Sequence, residues 1–136
     1  HSSNAMYLAK KFKEIGLKFN YPGLPDHKDH ELMNSMRNPE FGYGGMIAID
    51  METVERASKL MEMMQIRGVG YHAVSLGYFK TLFSNSGKST SSEVPDDVQA
   101  EMGMSPGLVR FSVGLDHDIE NTYNVIYSCL KDLELI

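Results

Sequence analysis

The sequence predicts an α+β domain: a small, mainly antiparallel sheet with helices packed on one face. Three observations predict it. Segments of strand-like alternation interleave with segments of helical period, over short connections. No Gly-x-Gly-x-x-Gly fingerprint is present, so nothing points to a doubly wound nucleotide-binding sheet. The stretch 107–114, Gly-Leu-Val-Arg-Phe-Ser-Val-Gly, alternates cleanly. Val109, Phe111 and Val113 point to one face of a strand, and Leu108, Arg110 and Ser112 to the other. A guanidinium therefore stands beside a hydroxyl on a strand with an oily reverse side. That arrangement is either a solvated outer face or an anion-binding cleft.

Taken in order, His1-Ser2-Ser3-Asn4-Ala5 reads as the remnant of a cleaved purification tag and is set aside from the fold, with Met6 as the expected start of the cloned segment. Residues 7–15 then read as a helix. Leu8, Phe12 and Ile15 share a face, and Gly16 serves as a left-handed stop. It lacks a capping residue, so residues 6–16 are expected to be the end of a longer connecting helix, ahead of a domain over 17–136. Residues 17–21 have strand character and enter the rigid turn Tyr21-Pro22-Gly23-Leu24-Pro25. Asp26 can cap a helix from His27 to about Arg37. His27 and His30 lie three apart in it, but two histidines without further ligands make a wet helix surface rather than a metal site, and no metal is expected.

Glycines at 42, 44 and 45 precede a short apolar strand over 46–50. A phosphate cradle would need them to open onto a helix instead. Residues 53–65 form the clearest helix, with Val54, Ala57, Met61 and Met64 on one stripe. Residues 69–76 read as a strand. Residues 78–93 read as an irregular, serine-rich loop of the kind that is often functional or lid-like. Its Gly87-Lys88-Ser89 is not a P-loop, because Leu82 stands where the pattern needs its first glycine. Pro95 opens a short helix to about Met102, stopped by Gly103. After the 107–114 strand, Asp116 or Asp118 caps a last helix to Leu133. Cys129 lies at the edge of that helix's apolar stripe as a small core residue.

The bulk properties exclude several classes. A chain of 136 residues holds one core. A net charge of −5 and the lack of an arginine- or lysine-rich patch argue against a nucleic-acid partner. No apolar run approaches the roughly 18 residues of a membrane span. The single cysteine allows no internal disulfide, which fits a reducing, cytoplasmic setting.

Five landmarks occur in order along the chain. They are Tyr21-Pro22-Gly23-Leu24-Pro25 with the His-rich segment after it; Gly44-Gly45-Met46; Val74-Ser75-Leu76-Gly77; Thr90 to Val94-Pro95 before an acidic helix; and Gly107-Leu108-Val109-Arg110-Phe111-Ser112-Val113-Gly114-Leu115. From about Met6 to Leu133 the sequence resembles the C-terminal domain of the Cys/Met-metabolism (trans-sulfuration) enzymes that use pyridoxal phosphate, most nearly those of the methionine gamma-lyase type. The resemblance implies the C-terminal domain of a fold-type I enzyme, with its large cofactor-binding domain absent from this chain. In the family that domain carries the Schiff-base lysine, the phosphate-binding residues and the aspartate that pairs with the pyridine nitrogen. None of these motifs is matched, so Lys10, Lys11 and Lys13 are not the cofactor lysine and this chain alone is expected to bind no pyridoxal phosphate and to be inactive.

What the resemblance carries over is the substrate side. Arg110 matches the arginine that binds the α-carboxylate of a sulfur amino acid, a role that suits a planar fork of donors. Ser75 matches a serine beside the cofactor lysine and the substrate amine, and is a catalytic and substrate-binding candidate. The family forms homotetramers. Tyr78 and Lys80 stand where the family has glycine and glutamate, and Thr90-Ser91 where it has Thr-His. These departures leave γ-elimination, β-elimination and γ-replacement open, so fragments of a cystathionine γ-synthase or β-lyase or of an O-acetylhomoserine sulfhydrylase are alternatives. A self-standing α+β module for ligand binding or oligomerisation is a further one.

Overall fold

A computed structural model describes residues 1–89 and 91–136. Helix α1 (Ser2–Glu14) leads to β1 (Phe19–Asn20), α2 (His30–Met36) and β2 (Met46–Asp50). Then come α3 (Val54–Ile66), β3 (Gly70–His72) and β4 (Thr81–Asn85). A single 3-10 turn (Ser86–Lys88), α4 (Asp96–Glu101), β5 (Leu108–Ser112) and α5 (Ile119–Asp132) complete the chain. The strands form one sheet in the order β1-β2-β5-β4-β3. All neighbours are antiparallel except β3 and β4. Among the described residues, no helix is long and apolar enough to cross a membrane.

The alternation read in 107–114 holds in the fold. Val109, Phe111 and Val113 are fully buried. Phe111 lies opposite Ile47 on β2 and Phe83 on β4, with the two phenylalanine rings 5.5 Å apart. This face shares one core cluster with Leu8 and Phe12 of α1, Leu60 and Met64 of α3, and Ile126 and Leu130 of α5, which packs on α1 and α3. Each such side chain contributes about 1.5–3 kcal/mol by leaving water. Cys129 belongs to the same core, and burial pushes its thiol up, as befits a packing residue rather than a nucleophile.

Several boundaries differ from the sequence reading. Helix α1 begins at Ser2, so residues set aside as a tag remnant take part in the fold. Ala5 is fully buried, and the Asn4 amide donates to the carbonyls of Gly114 (3.1 Å) and Asp116 (2.7 Å). Helix α2 begins at His30 rather than His27. Asp26 does not cap it but pairs with Lys13 at 2.7 Å, which holds its carboxyl below the usual range. Asp118, not Asp116, caps α5, accepting from the Asn121 N–H; Asp116 accepts from the Thr122 hydroxyl and the Asp118 N–H.

The largest difference is β4, which lies where a loop was expected. Its five residues are all buried, because α3 packs on one face and segment 73–77 lies over the other. A strand covered on both sides has no polar face to alternate with, and Thr81, Ser84 and Asn85 read as loop composition. Its pairing with β3 is close. A Cβ on Gly70 would stand 2.0 Å from the Thr81 carbonyl oxygen, so only glycine fits there. The described residues flanking position 90 in the serine-rich stretch are anchored by hydrogen bonds. Asn85 caps the 3-10 turn at Lys88 and donates to the Pro106 carbonyl, and the Gln99 amide donates to the carbonyls of Ser91 and Val94. Thr90, part of one sequence landmark, lies outside the described residues.

Candidate functional site

The helix-free face of the sheet carries the candidate site. Arg110 sits at the middle of β5, flanked in register by Ala48 on β2 and Ser84 on β4. Residue parity sends its side chain away from the core, and Ser112 follows it on the same face. The segment after β3 crosses this face and is tacked to β5 at two points. Arg110 donates through Nη2 to the Val74 carbonyl at 2.6 Å, with the Ser75 carbonyl at 3.4 Å. The Gly77 N–H donates to the Ser112 hydroxyl at 3.1 Å.

Arg110 is half-buried, and among the described residues no carboxylate lies within ion-pair range of it. The nearby Asp50 is already engaged. Burial pushes its carboxyl up, but the Lys18 ammonium at 2.6 Å, the Ser105 hydroxyl and the Glu52 N–H together bring it below the ordinary value. Arg56 and Arg67 have partners of their own in Glu52 and Asp132, both at 2.6 Å. Among the described residues, Arg110 is therefore a cation bound only to neutral carbonyls, with its Nη1 unspent and its Nε buried without a partner. A partly desolvated guanidinium in that state favours an incoming anion, and its planar fork matches a carboxylate.

The structure brings Arg110 and Ser75 together: the Ser75 carbonyl lies against the guanidinium, and its side chain is exposed with no hydrogen-bond partner among the described residues. His27 and His30 are kept apart. The His27 ring meets the Asn20 side-chain oxygen at 2.5 Å, whereas the His30 ring meets the Pro22 carbonyl at 2.8 Å and stacks on Tyr43. No group of three or more His, Cys, Asp or Glu able to hold a metal occurs among the described residues.

A cofactor held through a lysine imine does not fit the residues on this face. Such a lysine must be kept unprotonated by burial. Here Lys11 and Lys18 are held above their ordinary value by Glu14 and Asp50, and the other lysines are exposed. Lys80, the only lysine in the loop between β3 and β4, lines a separate cavity of about 310 Å³ with Phe79, Leu115, Asp116 and His117. Sequence reasoning missed Ser84, because the strand that carries it was read as loop. It also missed the backbone anchors at Val74 and Gly77, because no side-chain pattern encodes them.

The family described as Cys/Met metabolism PLP-dependent enzyme matches residues 1–127. A methionine gamma-lyase of Arabidopsis thaliana is 47% identical over 124 residues, covering 90% of this chain and 28% of its own length. A cystathionine gamma-lyase of Bacillus subtilis is 31% identical over 113 residues, covering 83% of this chain and 28% of its own. Among solved structures, one described as an O-acetylhomoserine (thiol)-lyase of Campylobacter jejuni superposes with a TM-score of 0.84 at 21% identity. It covers 96% of this chain and 30% of that one, and contains a pyridoxyl-lysine monophosphate. The chain thus spans less than a third of the length of these relatives. A match over nearly the whole chain and an α+β fold shared with a solved relative agree: this chain belongs to the Cys/Met-metabolism, pyridoxal-phosphate-dependent enzymes.

Proposed function

We propose that this chain is the substrate-side part of a pyridoxal-phosphate-dependent carbon–sulfur lyase of the methionine gamma-lyase type, and that Arg110 receives the α-carboxylate of a sulfur amino acid. The observation that carries the reading is a half-buried guanidinium with no carboxylate of its own among the described residues and an unspent Nη1. Ser75, exposed beside it, hydrogen-bonds the substrate amine in this reading. The cofactor and its lysine belong to another part of a longer protein. Supporting this is the apolar surface that Tyr71, Val74, Leu76, Tyr78, Phe79 and Leu115 leave exposed, the kind of patch that other parts of a protein cover. The assembled enzyme is a cytoplasmic homotetramer in this reading. The 47% identity to a methionine gamma-lyase supports thioether γ-elimination as the reaction; the 31% identity to a cystathionine gamma-lyase supports cystathionine as the competing substrate.

The test is turnover by the full-length, cofactor-loaded protein on L-methionine, L-cystathionine and O-acetyl-L-homoserine. Thiol release from methionine at the highest kcat/KM is expected. Preference for cystathionine would replace the substrate and keep the class. No turnover of any of the three, with cofactor bound, would overturn the reading in favour of a ligand-binding or oligomerisation module.

A further inference from the structure

Between β3 and β4, residues 73–80 form no helix or strand, so their place on the sheet is set by the bonds they make to it. The Ala73 N–H still donates to the Phe83 carbonyl of β4. Beyond it, two side chains of β5 hold the segment. Arg110 donates through Nη2 to the Val74 carbonyl at 2.6 Å, and the Ser112 hydroxyl accepts from the Gly77 N–H at 3.1 Å. Arg110 and Ser112 stand two apart on one face, about 6.8 Å along the strand, and Ser75 and Leu76 are strung between these two ties. Gly77 has a φ of +66°, in the left-handed region, while a Cβ on it would meet nothing within 4 Å. The glycine therefore serves the direction of the backbone rather than close packing. Ser112 is buried, and among the described residues its hydroxyl makes this bond alone. The Ser75 side chain has no partner of its own there, so its place follows from the two ties.

We propose that Ser112 is a positioning residue for Ser75: by holding the Gly77 N–H, it fixes the turn that presents the Ser75 hydroxyl beside Arg110. This rests on the substrate-binding roles of Arg110 and Ser75 proposed above. The two ties differ in kind. The outer end of Arg110 is shared with the incoming carboxylate, so its grip on Val74 is loaded when substrate binds. The Ser112 tie uses no group that the substrate contacts and is the same before and after binding. Without it, residues 75–77 pivot about the Val74 carbonyl, and the Ser75 hydroxyl meets the substrate amine in fewer of the bound complexes.

The test uses the full-length, cofactor-loaded protein. Hydrogen–deuterium exchange of the Gly77 amide reads the tie itself, and Ser112→Ala is expected to speed it about 2- to 10-fold, the loss of one ordinary hydrogen bond. Ser112→Thr keeps the hydroxyl and the slow exchange. Ser112→Val has the shape of threonine without the hydroxyl and exchanges fast, so this pair decides if alanine disturbs folding. Activity reads the consequence. With the preferred of the three substrates named above, kcat is expected to fall about 2- to 10-fold in Ser112→Ala with KM little changed, because Arg110 still takes the carboxylate. A double-mutant cycle separates positioning from a merely structural role: in a Ser75→Ala background, Ser112→Ala should change kcat by less than about twofold. Unchanged Gly77 exchange, or losses that multiply in the double variant, overturns the proposal and leaves the reading of the site standing. A Ser75→Ala variant as active as wild type removes the role of Ser75, and this proposal with it.

Discussion

Replacing Arg110 separates a binding arginine from a structural one, and the size of the effect follows from how its donors are used. Nη2 donates to the Val74 carbonyl at 2.6 Å and reaches the Ser75 carbonyl only at 3.4 Å, and Nη1 has no hydrogen-bond partner among the described residues, so the Nη1–Nη2 end can offer a carboxylate two parallel N–H groups. A charge-assisted hydrogen bond contributes about 1.5–3 kcal/mol. Lysine keeps the charge but presents no second parallel donor, so Arg110→Lys should lose about one such bond. Arg110→Ala should lose both, about 3–5 kcal/mol in kcat/KM. At roughly 1.4 kcal/mol per factor of ten, these are falls of about 10- to 100-fold and about 100- to 5000-fold. Folding stability should fall by about 1.5–3 kcal/mol, since the charge-assisted bond to the Val74 carbonyl is lost. The assay is kcat/KM for L-methionine in the full-length enzyme, with the melting temperature measured alongside. A kcat/KM for Arg110→Ala within twofold of wild type would refute the role. An Arg110→Lys variant as active as wild type would refute the two-bond geometry, and losses that merely track unfolding would make Arg110 a structural clamp.

Two further perturbations test the framework that holds this site. Tyr21 is buried and donates to the Gly44 carbonyl at 2.9 Å, and burial pushes its phenol up to about 12. The folded state favours the neutral phenol, so this stability is complete below pH 10 and is lost as pH climbs towards about 12. Chemical denaturation across that window should show the loss in wild type and not in Tyr21→Phe; equal slopes would refute it. Asn4→Ala removes two hydrogen bonds to the Gly114–Asp116 turn, of 3.1 and 2.7 Å. Allowing for the better helix propensity of alanine, it should cost about 1–2 kcal/mol, read as a lower melting temperature. An unchanged melting temperature would mean that the first turn of α1 does not grip the sheet.

The face carrying Arg110 was legible in the sequence because β5 is buried on one side and half-open on the other. Val109 and Phe111 alternate with Arg110 and Ser112, and that pattern survives folding. Strand β4 was not legible for the opposite reason. With both faces covered, Thr81-Leu82-Phe83-Ser84-Asn85 shows no period, and its polar residues are buried by contacts that exist only after the chain folds. The sequence reading starts this helix at Tyr7 because residues 1–5 are set aside from the fold, whereas α1 begins at Ser2 and Ala5 is buried in the core. Arg110 and Ser75 were chosen through landmarks in the sequence. The Val74 carbonyl, which holds the Arg110 guanidinium, depends on backbone position, and that leaves no trace in composition.

The place of β5 in the sheet has a consequence for the order of events in synthesis. It is the last strand to be made, yet it lies between β2 and β4. Before residues 108–112 emerge, the chain can offer only two separate ribbons, β1 with β2 and β3 with β4, and two-stranded ribbons are marginal in water. A nascent or prematurely ended chain therefore cannot close this sheet in stages; it waits for a keystone. Arg110 is built into that keystone. The charge on this face and the architecture that aims it arrive in the same step, so an unfinished chain never displays one without the other.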